Sequence, residues 1–207
     1  MNPLIECRSV AVEYPTADGV LKLYGDGLSL IIEEGAFVSV VGGSGWGKST
    51  LVNLILGLEK PTRGNIYIRG ENVTQRSFVS RCSRIKTAAV FQRPTAVPHL
   101  TVLQNLHLAL SMIGIPRRER DERIRESMAL AVRPEFLVLD EPTGDLDTSI
   151  ANLVMPLLRG LNRDHGITIL MTTAIPRHAS SARHQVHLRG PTIVARTPRV
   201  LARGENV

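Results

Sequence analysis

One nine-residue stretch limits the fold more than any other part of this chain. Residues 42 to 50 read Gly-Gly-Ser-Gly-Trp-Gly-Lys-Ser-Thr, after the apolar run Phe37-Val38-Ser39-Val40-Val41 and before Leu51, Leu54, Ile55 and Leu58 at helical spacing. A buried strand, a glycine-rich loop and a helix in that order make a phosphate cradle. Gly42, Gly43, Gly45 and Gly47 let the backbone turn tightly and aim successive N–H groups inward, where they join the positive end of the helix dipole. Lys48 then reaches the terminal phosphates, and the Ser49 hydroxyl holds magnesium. Ser44, Trp46 and Thr50 complete the loop. Nucleotide binding is the first expectation.

At 207 residues, with 43% hydrophobic and 21% charged, the chain suits one soluble domain, 1–207. Cys7 and Cys82 have neither metal-type spacing nor the numbers for a disulfide framework, which fits a reducing cytoplasmic setting. The start carries no signal-peptide pattern, and no run approaches the roughly 18 apolar residues that span a bilayer. Any membrane role is expected to go through a partner. The net charge of +6 comes mainly from arginines, at 117, 118 and 120 and along the tail at 183, 189, 196, 199 and 203. They are interleaved with acids and lack neighbouring aromatics, so they read as solvated surface and not as a nucleic-acid site.

Along the chain, the first forty residues alternate as short strands joined by the turn Thr16-Ala17-Asp18-Gly19, and 64–70 is a further strand bounded by glycines. The segment 102–113 places Leu103, Leu106 and Leu110 on one helical face and stops before Pro116. Residues 117–126 are nearly all charged, as in an exposed helix or a linker. Phe136-Leu137-Val138-Leu139 reads as a buried parallel strand delivering Asp140 and Glu141 at its carboxyl end. A helix follows over 148–163, with apolar residues at 150, 153, 154, 157, 158 and 161, and then the strand 167–171. Strands alternating with helices predict an α/β core with a mostly parallel sheet, edged by antiparallel β-structure at the N-terminus.

Beside such a phosphate loop, Asp140 holds the metal through water and Glu141 is the water-polarising base. The run 140–147, Asp-Glu-Pro-Thr-Gly-Asp-Leu-Asp, joins the phosphate loop, Val90-Phe91-Gln92-Arg93-Pro94 with Pro98 to Val102, and the opening Leu4 to Tyr14. In these stretches the chain resembles the ATP-binding subunits of ABC transporters. Residues 144–147 and 161–166 look most like the lipoprotein-releasing and macrolide-export branch. The resemblance implies a P-loop NTPase fold of the ABC type, with ATP and Mg2+ as ligands. It makes Gln92 the glutamine that contacts metal and attacking water, and Tyr14 the aromatic that stacks on adenine. It also puts Asp147 in a loop that crosses a dimer interface, where the plain alternative is a helix N-cap. By the same resemblance the chain pairs as a homodimer or heterodimer and sits on the inner face of the cell membrane, peripheral to a permease.

Three departures accompany it. No signature of the Leu-Ser-Gly-Gly-Gln type occurs, and the text joins two parts of the family's helical subdomain near Ser127, so that subdomain (about 93–132) is expected to be shortened. Thr173 stands where the family has a histidine that contacts the terminal phosphate. His178, five residues on, would replace that histidine only if the loop were rearranged, and is expected at the surface. Trp46 fills a slot usually small, and facing outward it leaves the cradle intact. Two functions follow: a subunit that couples ATP hydrolysis to transport, or a nucleotide-binding module that does not hydrolyse. A small GTPase or kinase does not fit, since no Asn-Lys-x-Asp motif is present.

Overall fold

The alternation at the N-terminus folds as one long hairpin, not as the short strands that its turn signals predict. In the computed structural model, which describes residues 3–16, 19–82, 84–92, 97, 99–112, 114–126, 134–144, 146–190 and 192–195, β1 (Ile5–Thr16) pairs antiparallel with β2 (Gly19–Ile32). Register shifts around Val10 absorb the broken alternation, so the strand bends and continues instead of ending. Ala17 and Asp18, the middle of the expected turn, lie outside the described residues. β4 (Arg63–Ile68) pairs with the other edge of β1, and β5 (Glu71–Asn72) with β4. Gly64 sits at φ 82 where the strands cross closely, and a Cβ there would lie 2.3 Å from the Ser9 carbonyl oxygen.

The second sheet has the order β10-β9-β3-β8-β7-β6. Its strands are β3 (Phe37–Val41), β6 (Thr87–Val90), β7 (Phe136–Asp140), β8 (Thr168–Thr173), β9 (His184–Arg189) and β10 (Thr192–Ala195). All neighbours are parallel except β10 and β9. The helices are α1 (Lys48–Leu56), α2 (Phe78–Cys82), α3 (Val102–Met112), α4 (Arg117–Glu126), α5 (Thr148–His165) and α6 (Pro176–Ala179).

The strand period of two divides the core. Val38, Val40, Val138 and Leu170 face α1 and the antiparallel sheet, packing with Leu51, Leu54, Ile5 and Leu30. Phe37, Leu137, Leu139, Ile169 and Met171 face the other way, onto Met155, Leu158 and Leu161 of α5. With both faces covered, β3, β7 and β8 are buried at every position, and Phe136 to Leu139 is the buried apolar run that the sequence implied. Local differences have local causes. α1 stops at Leu56 because Gly57 takes the left-handed conformation, so Leu58 lies beyond the helix and half-exposed. On α3, Leu110 is buried while Leu103 is open to solvent, so the predicted face is covered at one end only. The charged segment 117–126 is helical. The expected join near Ser127 falls outside the described residues.

Candidate functional site

The carboxyl ends of β3, β6, β7 and β8 come together above one edge of the sheet, where a parallel α/β sheet places its ligands. β3 runs into the loop 42–47 and the loop into α1. Gly47 caps α1 in the left-handed conformation, φ 88, with no side chain taking its first N–H groups. Those donors, and the dipole behind them, face the cleft. A Cβ on residue 47 would sit 2.7 Å from the Tyr24 hydroxyl, which donates to the Gly47 carbonyl from a wholly buried ring. Trp46 turns outward, 38% exposed, with its indole lying against the backbone of Gly42 and Gly43. The outward orientation that leaves the cradle open is therefore the one observed.

Lys48 is buried, and its ammonium donates to the carbonyls of Gly42 (2.8 Å) and Gly43 (2.9 Å) and pairs with Glu141 Oε1 at 2.9 Å. All three ammonium protons are thus engaged, so an incoming phosphate competes with Glu141 for this charge. Glu141 itself has φ 49, an uncommon conformation for a side-chain-bearing residue. Its N–H donates to Thr172, to both the carbonyl (3.2 Å) and the hydroxyl (3.0 Å). The same hydroxyl donates to Asp140 Oδ1 at 2.6 Å. Thr172 faces Asp140 across the β7 and β8 ladder and so orients both acids, a role invisible before the strand register is known.

A cleft of ≈ 370 Å³ brings Tyr14, Ser44, Gly45, Gly47, Lys48, Ser49, Thr50, Gln92 and Glu141 together, with Leu21, Leu23 and Ala174 completing its wall. Residues predicted from four separate stretches thus share one cavity. Asp140 lies behind the wall, buried. The Tyr14 hydroxyl donates to Glu59 and lies 3.4 Å from the Thr50 hydroxyl, which leaves the ring to the cleft. Burial, with the Glu59 carboxylate next, pushes its phenol up from the ordinary range. Tyr24, Thr172 and Glu59 were missed in the sequence because none belongs to a motif.

Thr173, the last residue of β8, and His178, five residues on, behave differently from each other. Thr173 is buried, and its hydroxyl accepts from the Ile175 N–H at 3.0 Å, closing a local turn. The expectation that His178 lies at the surface is wrong. It is 3% exposed, and Nδ1 lies 2.8 Å from the Thr143 hydroxyl, also buried. Its own short helix brings it back against Thr143, which sequence spacing does not reveal. Asp147 caps α5, with Oδ1 accepting from the N–H groups of Ser149 (2.9 Å) and Ile150 (3.0 Å).

For magnesium, the oxygen donors of Ser49, Gln92 and Asp140 suit a hard cation that keeps several waters and shares phosphate oxygens. Among the described residues no group of three or more His, Cys, Asp or Glu is placed to hold a metal ion by itself.

The geometry agrees with three comparisons. Residues 26–131 match the ABC transporter family. An ABC transporter ATP-binding protein of Mycobacterium tuberculosis is 34% identical over 199 residues, covering 82% of this chain and 80% of that protein. The macrolide export ATP-binding/permease protein MacB of Shigella flexneri is 30% identical across 97% of this chain, which spans 35% of that protein. That alignment is 230 residues long against 207 in this chain, so at least 23 of its positions, the difference, have no residue here. In fold, the dimeric bacterial ABC transporter cassette MJ0796 superposes with a TM-score of 0.81 at 28% identity, over 92% of this chain and 98% of the cassette.

Proposed function

The chain belongs to the ABC transporter family, and from that premise we propose that the cleft between the 42–49 loop and Glu141 binds ATP with Mg2+ and couples its hydrolysis to a separate membrane permease. It is an ATP-binding subunit of the family's ATPase type. The observation that carries the residue assignment is the meeting of Lys48, Glu141, Gln92 and Tyr14 in one cavity.

In this reading the free N–H groups of the loop and the Lys48 ammonium bind the terminal phosphates. Ser49, Gln92 and Asp140 would hold magnesium, and the ion would offset the charge of the phosphate oxygens. Glu141 leaves Lys48 as phosphate arrives, and its freed carboxylate takes a proton from the attacking water. Tyr14, with Leu21 and Leu23, receives the base. The subunit works as a dimer, at the inner membrane face through its permease. Among the described residues no helix is long and apolar enough to cross a membrane.

A second reading, nucleotide binding without turnover, is favoured by Thr173, whose hydroxyl is held in its own turn and is too short to reach a terminal phosphate. The positions lacking in this chain support the same reading, if they fall where the signature is expected, between α4 and β7. Losing one transition-state donor costs about 2.7–4 kcal/mol, or 10²–10³ in rate.

Titration with Mg-ATP, followed through the fluorescence of Trp46, tests both. Lys48→Ala is expected to weaken binding at least about a hundredfold, and Glu141→Gln to keep or tighten it while abolishing turnover. Turnover that needs both residues supports the hydrolytic reading, and Lys48-dependent binding with no turnover supports the second. Binding indifferent to Lys48 defeats both.

A further inference from the structure

A second cleft, of ≈ 500 Å³, lies at the opposite end of the strands that carry the nucleotide site. It is bounded by Phe37, the first residue of β3, by the second half of α5, and by the segment 181–183 just ahead of β9. The nucleotide cleft sits at the carboxyl ends of the strands and this one at their amino ends, and the two share no residue. Three arginines line it, Arg159 and Arg163 from α5 and Arg183 from the segment before β9, and no acid does. In the sequence Arg183 is one of a scatter of arginines toward the tail, and only the fold sets it beside two others.

The cleft is held in shape by polar contacts. Arg159 Nη1 donates to the Ser181 hydroxyl at 3.3 Å and so ties α5 to the segment before β9. Asn162 Nδ2 donates to the carbonyls of Gly35 and Ile167, both at 2.8 Å, which fixes the same stretch of helix to the starts of β3 and β8. Gly160 adds no side chain to the lining. The counter-charges are few. Arg163 pairs with its neighbour Asp164 at 2.6 Å, with both side chains more than half exposed, and such a surface pair yields readily to a better anion. Among the described residues Arg159 and Arg183 form no ion pair. The carboxyl end of α5 contributes about half a negative charge, so with Asp164 included the cleft keeps a surplus of about +1.5. A cationic surplus gathered in a concavity draws anions.

We propose that this cleft binds a small phosphate-bearing anion, gripped by Arg159, Arg163 and Arg183. Guanidinium forks arriving from two segments suit the several oxygens of a tetrahedral phosphate better than the two coplanar oxygens of a carboxylate. The Ser181 hydroxyl accepts from Arg159, which leaves its own proton to donate to the same group. The volume falls within the roughly 300–1,000 Å³ of small-molecule sites and exceeds what a bare phosphate fills. The phosphate therefore carries a body, for which Phe37 and Pro156 supply apolar lining. A concavity of this size encloses one small ligand, whereas a membrane surface needs a flat or convex face. The proposal stands apart from the nucleotide reading, because it uses none of the same residues.

Calorimetric titration of the full chain with inorganic pyrophosphate, at low salt and without magnesium, tests it. Pyrophosphate also suits the 42–49 loop, so the native chain is expected to show two sites. One is lost in Lys48→Ala. The other, with a Kd below about 1 mM, survives that change and is lost when Arg159→Gln and Arg183→Gln are combined. Each single glutamine variant is expected to weaken it at least about tenfold, and Arg159→Lys less than Arg159→Gln, because lysine keeps the charge without the fork. Raising salt to about 0.3 M is expected to weaken it further. Thermal melts of the ligand-free variants are expected to match the native chain, since all three side chains are exposed. A native chain with only the Lys48-dependent site overturns the proposal, and so does a second site indifferent to the arginines. Binding to phosphatidylglycerol vesicles with none to pyrophosphate also overturns it, in favour of a membrane contact. If the Lys48-dependent site alone is missing, the nucleotide reading fails and the arginine cleft stands.

Discussion

At the scale of single residues, the site depends on a few atoms that tolerate no substitute. Gly47 combines φ 88 with a Tyr24 hydroxyl 2.7 Å from any added Cβ, so Gly47→Ala both strains the backbone and displaces the ring behind the loop. Mg-ATP titration of this variant is expected to show loss of binding comparable to Lys48→Ala, although the ammonium is untouched. His178 sets a pH dependence. Burial, and next the neighbouring Arg177, hold its imidazole below the ordinary range. Between that depressed value and about 6.5 the unfolded chain binds the proton more readily than the folded one, so stability falls as pH drops through about 6.5 and levels off once the folded ring is protonated. Urea midpoints taken at about pH 7.5 and 5.5 are expected to drop less for His178→Leu than for the native chain. That histidine was placed at the surface on sequence grounds because nothing local marks it as buried. Its partner Thr143 is 35 residues away, brought there by the β7 and β8 pairing.

Among the elements, α1 bears the phosphate loop and needs its far end secured. Arg81 of α2 does this from a buried position. Its guanidinium donates to the carbonyls of Ile55 at 3.1 Å and Thr74 at 3.0 Å, and also to Leu54. A cation at the last turn satisfies open carbonyls and opposes the negative end of the helix dipole. Desolvation lowers its pKa, so part of that gain is offset. Arg81→Met keeps the stem and removes the donors, for an expected cost of about 2 kcal/mol. In thermal melts this corresponds to a fall in Tm of roughly 4–8 °C for a chain of this size. The helix itself was legible from Leu51, Leu54 and Ile55, but its anchor was not, because Arg81 reads as one more surface arginine until α2 is folded against α1.

Across the whole molecule, one of the two halves of the core joins the two sheets, and Cys7 lies inside it, with burial pushing its thiol up to about 12. Cys82, half-buried at the end of α2, is pushed up to about 11. Alkylation near pH 8 is expected to modify Cys82 first and Cys7 only as fast as global unfolding, since reaching Cys7 requires the sheets to part. Equal rates for the two thiols would mean that the sheets separate in the native state. The sequence by itself determined the strand, loop and helix around Lys48, the parallel core strands and the acids at 140 and 141. Each of these is a periodicity or a motif carried by adjacent residues. Only long-range packing settled that Thr172 orients both acids, that Tyr24 braces Gly47, that Glu141 neutralises Lys48, that His178 is buried, and that Ile150, Leu153 and Leu157 of α5 turn outward. Those facts depend on strand register and helix orientation, and both are set by packing between segments far apart in the chain.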